Sequence, residues 1–183
     1  MKKRPLPILI PLLSAFLCIL FLQCQKDPPA VNLPDDVALG ESVIYLNGEI
    51  ADGYEPDFRR DTIYHLLNFP FIKKEGNITT VFGFDWLPIN EGNFKLHTER
   101  ILYIKAKTFF SQSIDEDTDG YDYELTDADE GYFNIEYLDT IKMEVKGRFK
   151  VKFKRTSKNG NGDLGLPKNL QYEGVFYENY RLF

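Results

Sequence analysis

The sequence predicts an all-β domain, an antiparallel β-sandwich or open barrel of about eight or nine strands, preceded by an N-terminal export segment. Three observations carry this prediction. Short runs rich in Tyr, Phe, Ile, Val and Thr recur between residues 42 and 181, separated by Gly, Pro, Asn and Asp. No stretch shows the apolar spacing of an amphipathic helix. Residues 141–154 alternate apolar and charged side chains almost without interruption, the period of a strand with one face on a core and the other in water.

The first element is an address. Lys2, Lys3 and Arg4 precede an uncharged run from Pro5 to Leu22, the charged-then-apolar layout of a secretory signal. Pro7 and Pro11 disfavour one continuous spanning helix, and no basic cluster follows the run to stop its transfer. The segment Leu20-Phe21-Leu22-Gln23-Cys24 resembles a bacterial lipobox, with Gln23 where the usual pattern has a small residue. The resemblance implies that residues 1–23 are removed and that Cys24 carries lipid. Cys18 lies within the apolar run, and lipidation there would leave Ile19 to Leu22 as an apolar mature terminus. Gln25-Lys26-Asp27 resembles the start of the surface-export signal of Bacteroidota lipoproteins, with Pro28 and Pro29 in place of further acids. It implies an outer-membrane location, displayed at the cell surface or facing the periplasm.

Residues 24–40 contain Pro28, Pro29 and Pro34 with Asp35 and Asp36, and read as an extended tether. Its reach is about 45 Å at polyproline rise. Residues 41–183 form the single predicted domain, large enough for its own core. Without residues 1–23 the chain holds 19 basic and 28 acidic residues, a net charge of −9. That acidity argues against a general nucleic-acid binder, whose affinity rests on neutralising phosphates. With Cys24 lipidated and Cys18 removed, the domain has no thiol for a disulfide or a thiolate metal site.

Within the domain, strands are predicted at 42–50, 62–69, 77–86, 93–98, 101–112, 121–126, 131–138, 141–156 and 169–181. In 141–154, Ile141, Met143, Val145, Gly147, Phe149, Val151 and Phe153 share the expected core face, while six of the seven residues on the other face are cations. Pairing with 131–138 through Phe133, Ile135 and Tyr137 predicts an odd-numbered loop near Asp139 and Thr140, because a two-residue loop would set Tyr137 against Lys142. One register then places Glu136 beside Lys142. Gly147-Arg148-Phe149 and Gly174-Val175-Phe176 each put a glycine inside a strand, predicting a bulge or a neighbour's close approach. These late Gly-x-Phe strands, together with the signal, resemble small outer-membrane lipoproteins of the Bacteroidota, a resemblance that implies no active site.

Four groups of residues are candidates for chemistry. Asp115, Asp117 and Asp119, followed by Gly120, have the alternating acids and glycine that begin a calcium loop; Thr126 stands where a bidentate Glu is wanted, and the other reading is a solvated acidic loop. Lys146, Arg148, Lys150 and Lys152 concentrate positive potential that suits an anionic glycan or lipid phosphates, or else are neutralised by carboxylates across the strands. Trp86 with Phe82, Phe84 and Tyr54 would make a sugar-stacking platform or fill the core. His65 and His97 lie 32 positions apart with no nucleophile motif beside them. The reading is a non-catalytic binding or accessory domain whose partner is a glycan or an outer-membrane protein. A carboxylate-dependent glycan hydrolase is the enzymatic alternative.

Overall fold

The computed structural model describes residues 30–97, 106–114, 118–119, 121–126, 131–158 and 166–183. These residues are all β. The strands are β1 (Glu41–Leu46), β2 (Glu49–Ile50), β3 (Tyr54–Pro56), β4 (Arg59–Asp61), β5 (Leu66–Glu75), β6 (Ile78–Pro88), β7 (Gly92–His97), β8 (Ala106–Ile114), β9 (Thr118–Asp119), β10 (Tyr121–Thr126), β11 (Tyr132–Asp139), β12 (Glu144–Lys158), β13 (Asn169–Asn179) and β14 (Arg181–Leu182). Among the described residues no helix is long and apolar enough to cross a membrane.

Two largely antiparallel sheets make a sandwich that does not close into a barrel. One runs β14-β4-β5-β6-β8-β7, with β3 also on β5 and β9 on β8; the other runs β7-β11-β12-β13-β1-β2, with β10 on β12. Two strands change sheets and form the corners. Gly92 to Lys95 of β7 pair with β11, whereas Leu96 and His97 pair with β8. At the opposite corner the chain leaves β13, turns at the buried Tyr180 and pairs with β4 as β14. These corners hold both parallel pairings of the described strands, as expected where a strand bends from one layer to the next.

The space between the layers is filled with aromatic rings. Phe69, Phe71, Phe82 and Phe84 of one sheet and Phe133, Phe149, Phe176 and Tyr172 of the other are fully buried. They meet across the sandwich: Phe84 and Phe133 centroids are 4.5 Å apart, Phe71 and Phe149 5.0 Å, Phe82 and Tyr172 4.1 Å. A fully buried Phe contributes about 1.5–3 kcal/mol, so this cluster supplies much of the stability of a domain that has no disulfide. Phe82 and Phe84 therefore belong to the core and form no stacking platform with Trp86.

The two Gly-x-Phe segments interlock. Gly147 pairs with Phe176 and Phe149 with Gly174 on the adjacent strands β12 and β13. A Cβ on Gly174 would lie 2.7 Å from the Phe149 ring, and one on Gly147 would lie 2.8 Å from the Phe176 ring and 2.3 Å from the Asn134 carbonyl. Each glycine thus makes room for the other strand's phenylalanine, so of the two alternatives the sequence leaves, a bulge or a close approach, it is the close approach that occurs.

Several sequence boundaries shift for identifiable reasons. Residues 42–50 are a hairpin, not one strand: Asn47 and Gly48 have φ of 52° and 89°, the left-handed pair that a tight two-residue turn requires. Asn47 also fixes this hairpin to β13, accepting from the Gln171 N–H and donating from its backbone to the Gln171 carbonyl. The expected strand 62–69 begins with a turn at 62–65 and continues through Pro70 to Glu75. Pro70 is tolerated because its missing N–H faces the break between β3 and β4, where its carbonyl accepts from Asp57.

The β11–β12 hairpin corrects the predicted loop. Asp139 pairs with Glu144, so the loop has four residues, an even number, and a bulge between Ile135 and Tyr137 sets the facing of the strands. The extra residue turns Tyr137 outward and Leu138 toward the core. Ile141 and Met143, expected on the core face, are in the exposed turn. Glu136 pairs with Arg148, not Lys142, which instead lies 3.9 Å from Asp139.

Candidate functional site

The two ends of the sandwich differ in chemistry. Turns and strand ends at 46–54 and 73–80 share one end with Gln112 and Leu166, and they enclose a pocket of about 410 Å³. The hairpin from Leu46 through Ile50, held by Asn47, forms one wall; Gly53 (φ 81°) turns the chain back into β3. The β5–β6 turn at Gly76 (φ 61°) brings Lys73, Glu75 and Ile78 to the other wall. The volume lies in the range of small-molecule sites.

Its floor combines apolar rings with buried polar groups. Tyr54 packs edge-on against Phe82 and Tyr172, and its hydroxyl is 2.8 Å from that of Tyr172. Burial pushes both phenols above the ordinary tyrosine range, so they act as neutral hydrogen-bonding groups. The Gln112 amide donates to Thr80 Oγ1 at 3.2 Å, while Gln112 Oε1 is buried with no hydrogen-bond partner among the described residues. Such an orphaned oxygen is uncommon in a folded interior. At the rim, Glu49, Asp52 and Glu75 are exposed, Lys73 Nζ is 2.8 Å from Glu75, and the same ammonium lies 5.8 Å from the Tyr54 ring centroid. An apolar wall, an aromatic edge, an amide, hydroxyls and three exposed carboxylates can hold a small polyhydroxylated molecule by hydrogen bonds and ring contact.

The basic residues of β12 lie elsewhere, on the outer face of their sheet, and three of them stand beside an acid. Lys146 pairs with Asp36, Arg148 with Glu136, and Lys150 Nζ stands 3.6 Å from the buried Glu173. Glu173 also accepts from Gln171, and Lys152 has a partner of its own. Val31, Leu33, Pro34 and Val37 flank Asp36 and are half-buried, so residues near Asp36 rest on the domain.

Of the other sequence candidates, Cys24, Asp115 and Asp117 lie outside the described residues. Asp119 is placed by its backbone alone, in β9 against Ser113. Among the described residues no group of three or more His, Asp and Glu side chains is arranged to hold a metal. His65 is exposed at φ 54° in the β4–β5 turn, and His97 sits at the β7 corner. Trp86, at φ 60°, occupies a bulge where its N–H donates to Asn68 Oδ1.

The pocket is not visible in the linear sequence. Its lining comes from four separated segments, and the one local signal, Asn47-Gly48, marks the hairpin that walls it. No family model matches the chain, and neither curated proteins nor solved structures provide a match.

Proposed function

We propose that this chain is a lipid-anchored envelope protein whose β-sandwich is a non-catalytic binding module, held at the outer membrane through Cys24 and displayed at the cell surface. The observation that carries the binding reading is the pocket at the end away from Gly40 and Glu41, where the chain joins β1 beside Tyr177. A domain tethered at one end and open at the other presents its pocket away from its attachment.

The ligand class is a small polyhydroxylated molecule, such as the end of an envelope or environmental glycan. Exposed carboxylates at the rim, a buried amide and the Tyr54 edge favour recognition of hydroxyls. Hydrolysis by the same pocket is the weaker reading. A glycosidase acid must be desolvated to stay protonated, whereas Glu49, Asp52 and Glu75 are exposed and Glu75 is paired with Lys73.

Two measurements test this. Lipid labelling and protease shaving of intact cells, with wild type and Cys24→Ser side by side, should give a labelled, shaved wild-type domain and an unlabelled variant. Persistence of label in Cys24→Ser would refute the anchor, and protection until the outer membrane is opened would refute surface display. A glycan-binding screen should then give hits that Ala51→Trp, which fills the pocket, weakens at least tenfold. Hits indifferent to that substitution would move the site elsewhere.

A further inference from the structure

The end opposite the pocket carries most of the exposed apolar side chains. Of the eight large hydrophobic side chains exposed among the described residues, only Ile50 lies at the pocket end. Leu39 precedes β1; Ile63 and Tyr64 lie in the β4–β5 turn, Ile141 and Met143 in the β11–β12 turn, and Leu182 and Phe183 follow the corner at Tyr180. Backbone hydrogen bonds join these segments: Tyr180 N–H to Met143 O, Phe183 N–H to Arg60 O and Thr62 N–H to Phe183 O.

Two of these turns are copies of one motif. Asp61-Thr62-Ile63-Tyr64-His65 and Asp139-Thr140-Ile141-Lys142-Met143 share their first three residues. In each, the aspartate Oδ1 accepts from the N–H groups two and three residues on, at 2.8 to 2.9 Å. In each, the fifth residue is left-handed, His65 at φ 54° and Met143 at φ 58°. Both turns therefore have defined shapes, and each presents an isoleucine at its tip, 79% exposed at Ile63 and 91% at Ile141. Exposing these side chains contributes nothing to the fold, and a single-residue accident does not account for the same tip occurring twice at one end.

We infer that this end docks on the bilayer surface that holds the chain's own anchor, with the two isoleucine tips, Leu182 and Phe183 inserted at the headgroup level. The inference rests on the anchor proposed above. Three observations favour lipid as the occupant. The chain joins the domain at this same end: Gly40 N–H donates to Tyr177 O, and Asp36 pairs with Lys146 in the row beside Tyr177. The twelve positions from Cys24 to Asp36 span at most about 40 Å when extended, so a lipidated Cys24 keeps this end near the membrane at high effective concentration, and shallow insertion of a few tips suffices. The apolar tips stand on separate turns beside Tyr64, Lys142 and Arg181, the two basic side chains lying 3.9 Å from Asp139 and 2.8 Å from Asp57. That mixture of aliphatic, aromatic and long basic side chains suits a membrane interface. Docked this way, the domain holds its pocket outward.

The test uses the full chain expressed in a host that lipidates it, carrying Ile141→Cys or Ile50→Cys labelled with a polarity-sensitive fluorophore. It is reconstituted in phosphatidylethanolamine–phosphatidylglycerol vesicles with and without doxyl-labelled acyl chains. The label at 141 is expected to shift to the blue, and to be quenched by doxyl lipid several-fold more strongly than the label at 50. Adding Ile63→Ser and Phe183→Ser should abolish most of that difference with no loss of thermal stability, since both side chains are exposed. Equal emission and equal quenching at both positions would overturn the inference. Protection of position 141 in native membranes but not in protein-free vesicles would also overturn it, in favour of a protein partner. Mass spectrometry of the N-terminal peptide separates the two proposals. Unmodified Cys24 removes the anchor and this inference with it, whereas lipidated Cys24 with equal emission removes the docking alone.

Discussion

Gly147→Ala is the substitution that most directly probes how β12 is locked to β11 and β13. A methyl at this position would lie 2.3 Å from the Asn134 carbonyl and 2.8 Å from the Phe176 ring, while ordinary contacts begin near 3.4 Å. Backbone of β11 must therefore move by roughly 1 Å away from β12, beside the bulge that sets the facing of the hairpin. Overpacking of this kind costs about 1–3 kcal/mol or more. Replacing a strand glycine returns about 0.5–1 kcal/mol through lower unfolded-state entropy. The net expectation is a loss of about 1–2 kcal/mol, which for a domain of this size lowers the melting temperature by about 2–8 °C. Thermal unfolding followed by circular dichroism reads it. Gly174→Ala supplies the contrast, because its nearest obstacle is the Phe149 side chain at 2.7 Å, with the Val43 carbonyl farther off at 3.0 Å. Phe149→Leu should rescue part of the Gly174→Ala loss and none of the Gly147→Ala loss. A Gly147→Ala protein melting at or above wild type would refute the interlock.

Three further expectations concern hydrogen bonds and charge. Tyr54→Phe leaves the buried Tyr172 hydroxyl without its partner and should destabilise by about 1–3 kcal/mol; in a double-mutant cycle, Tyr54→Phe with Tyr172→Phe should cost less than the sum of the single changes. Glu136→Gln uncouples Arg148, both about a quarter exposed, so urea denaturation should show a loss of about 1 kcal/mol, and retention on a phosphate-bearing matrix should rise. The Arg59 guanidinium holds the Asp57 carboxyl below its usual range, and the backbone N–H groups of Lys142 and Ile141 do the same for Asp139. Their folded-state values are depressed, so their stabilisation is present above the unfolded aspartate value of about 3.9 and is lost as the pH falls below it through the folded values. Denaturation midpoints of Asp57→Asn with Asp139→Asn should therefore converge with wild type below that pH, and an unchanged gap would refute the assignment.

The all-β class and the membership of Val145, Phe149, Val151 and Phe153 in the core follow from the chain alone, as does the restriction of Gly147 and Gly174 to a bulge or a close approach. Each depends on a period of two or on the absence of a side chain, and both are local properties that survive any choice of neighbour. The facing of Tyr137 was not legible in that way. It depends on a bulge at Glu136 with no local signature, so the alternation of the sequence places Ile141 and Met143 on the core face, whereas the turn carries them into solvent. Of the acids that neutralise β12, Glu136 of the adjoining strand is legible in the sequence, whereas only the tertiary structure brings Asp36 and Glu173 beside Lys146 and Lys150. Leu46, Tyr54, Lys73, Gln112 and Leu166 likewise meet in one pocket because two corner strands fold one sheet over the other. The paired turns with Ile63 and Ile141 at their tips were present in the sequence as a repeated Asp-Thr-Ile. That they project from one end, away from the pocket, is a consequence of which strands share a direction, and pairing between distant segments sets that direction.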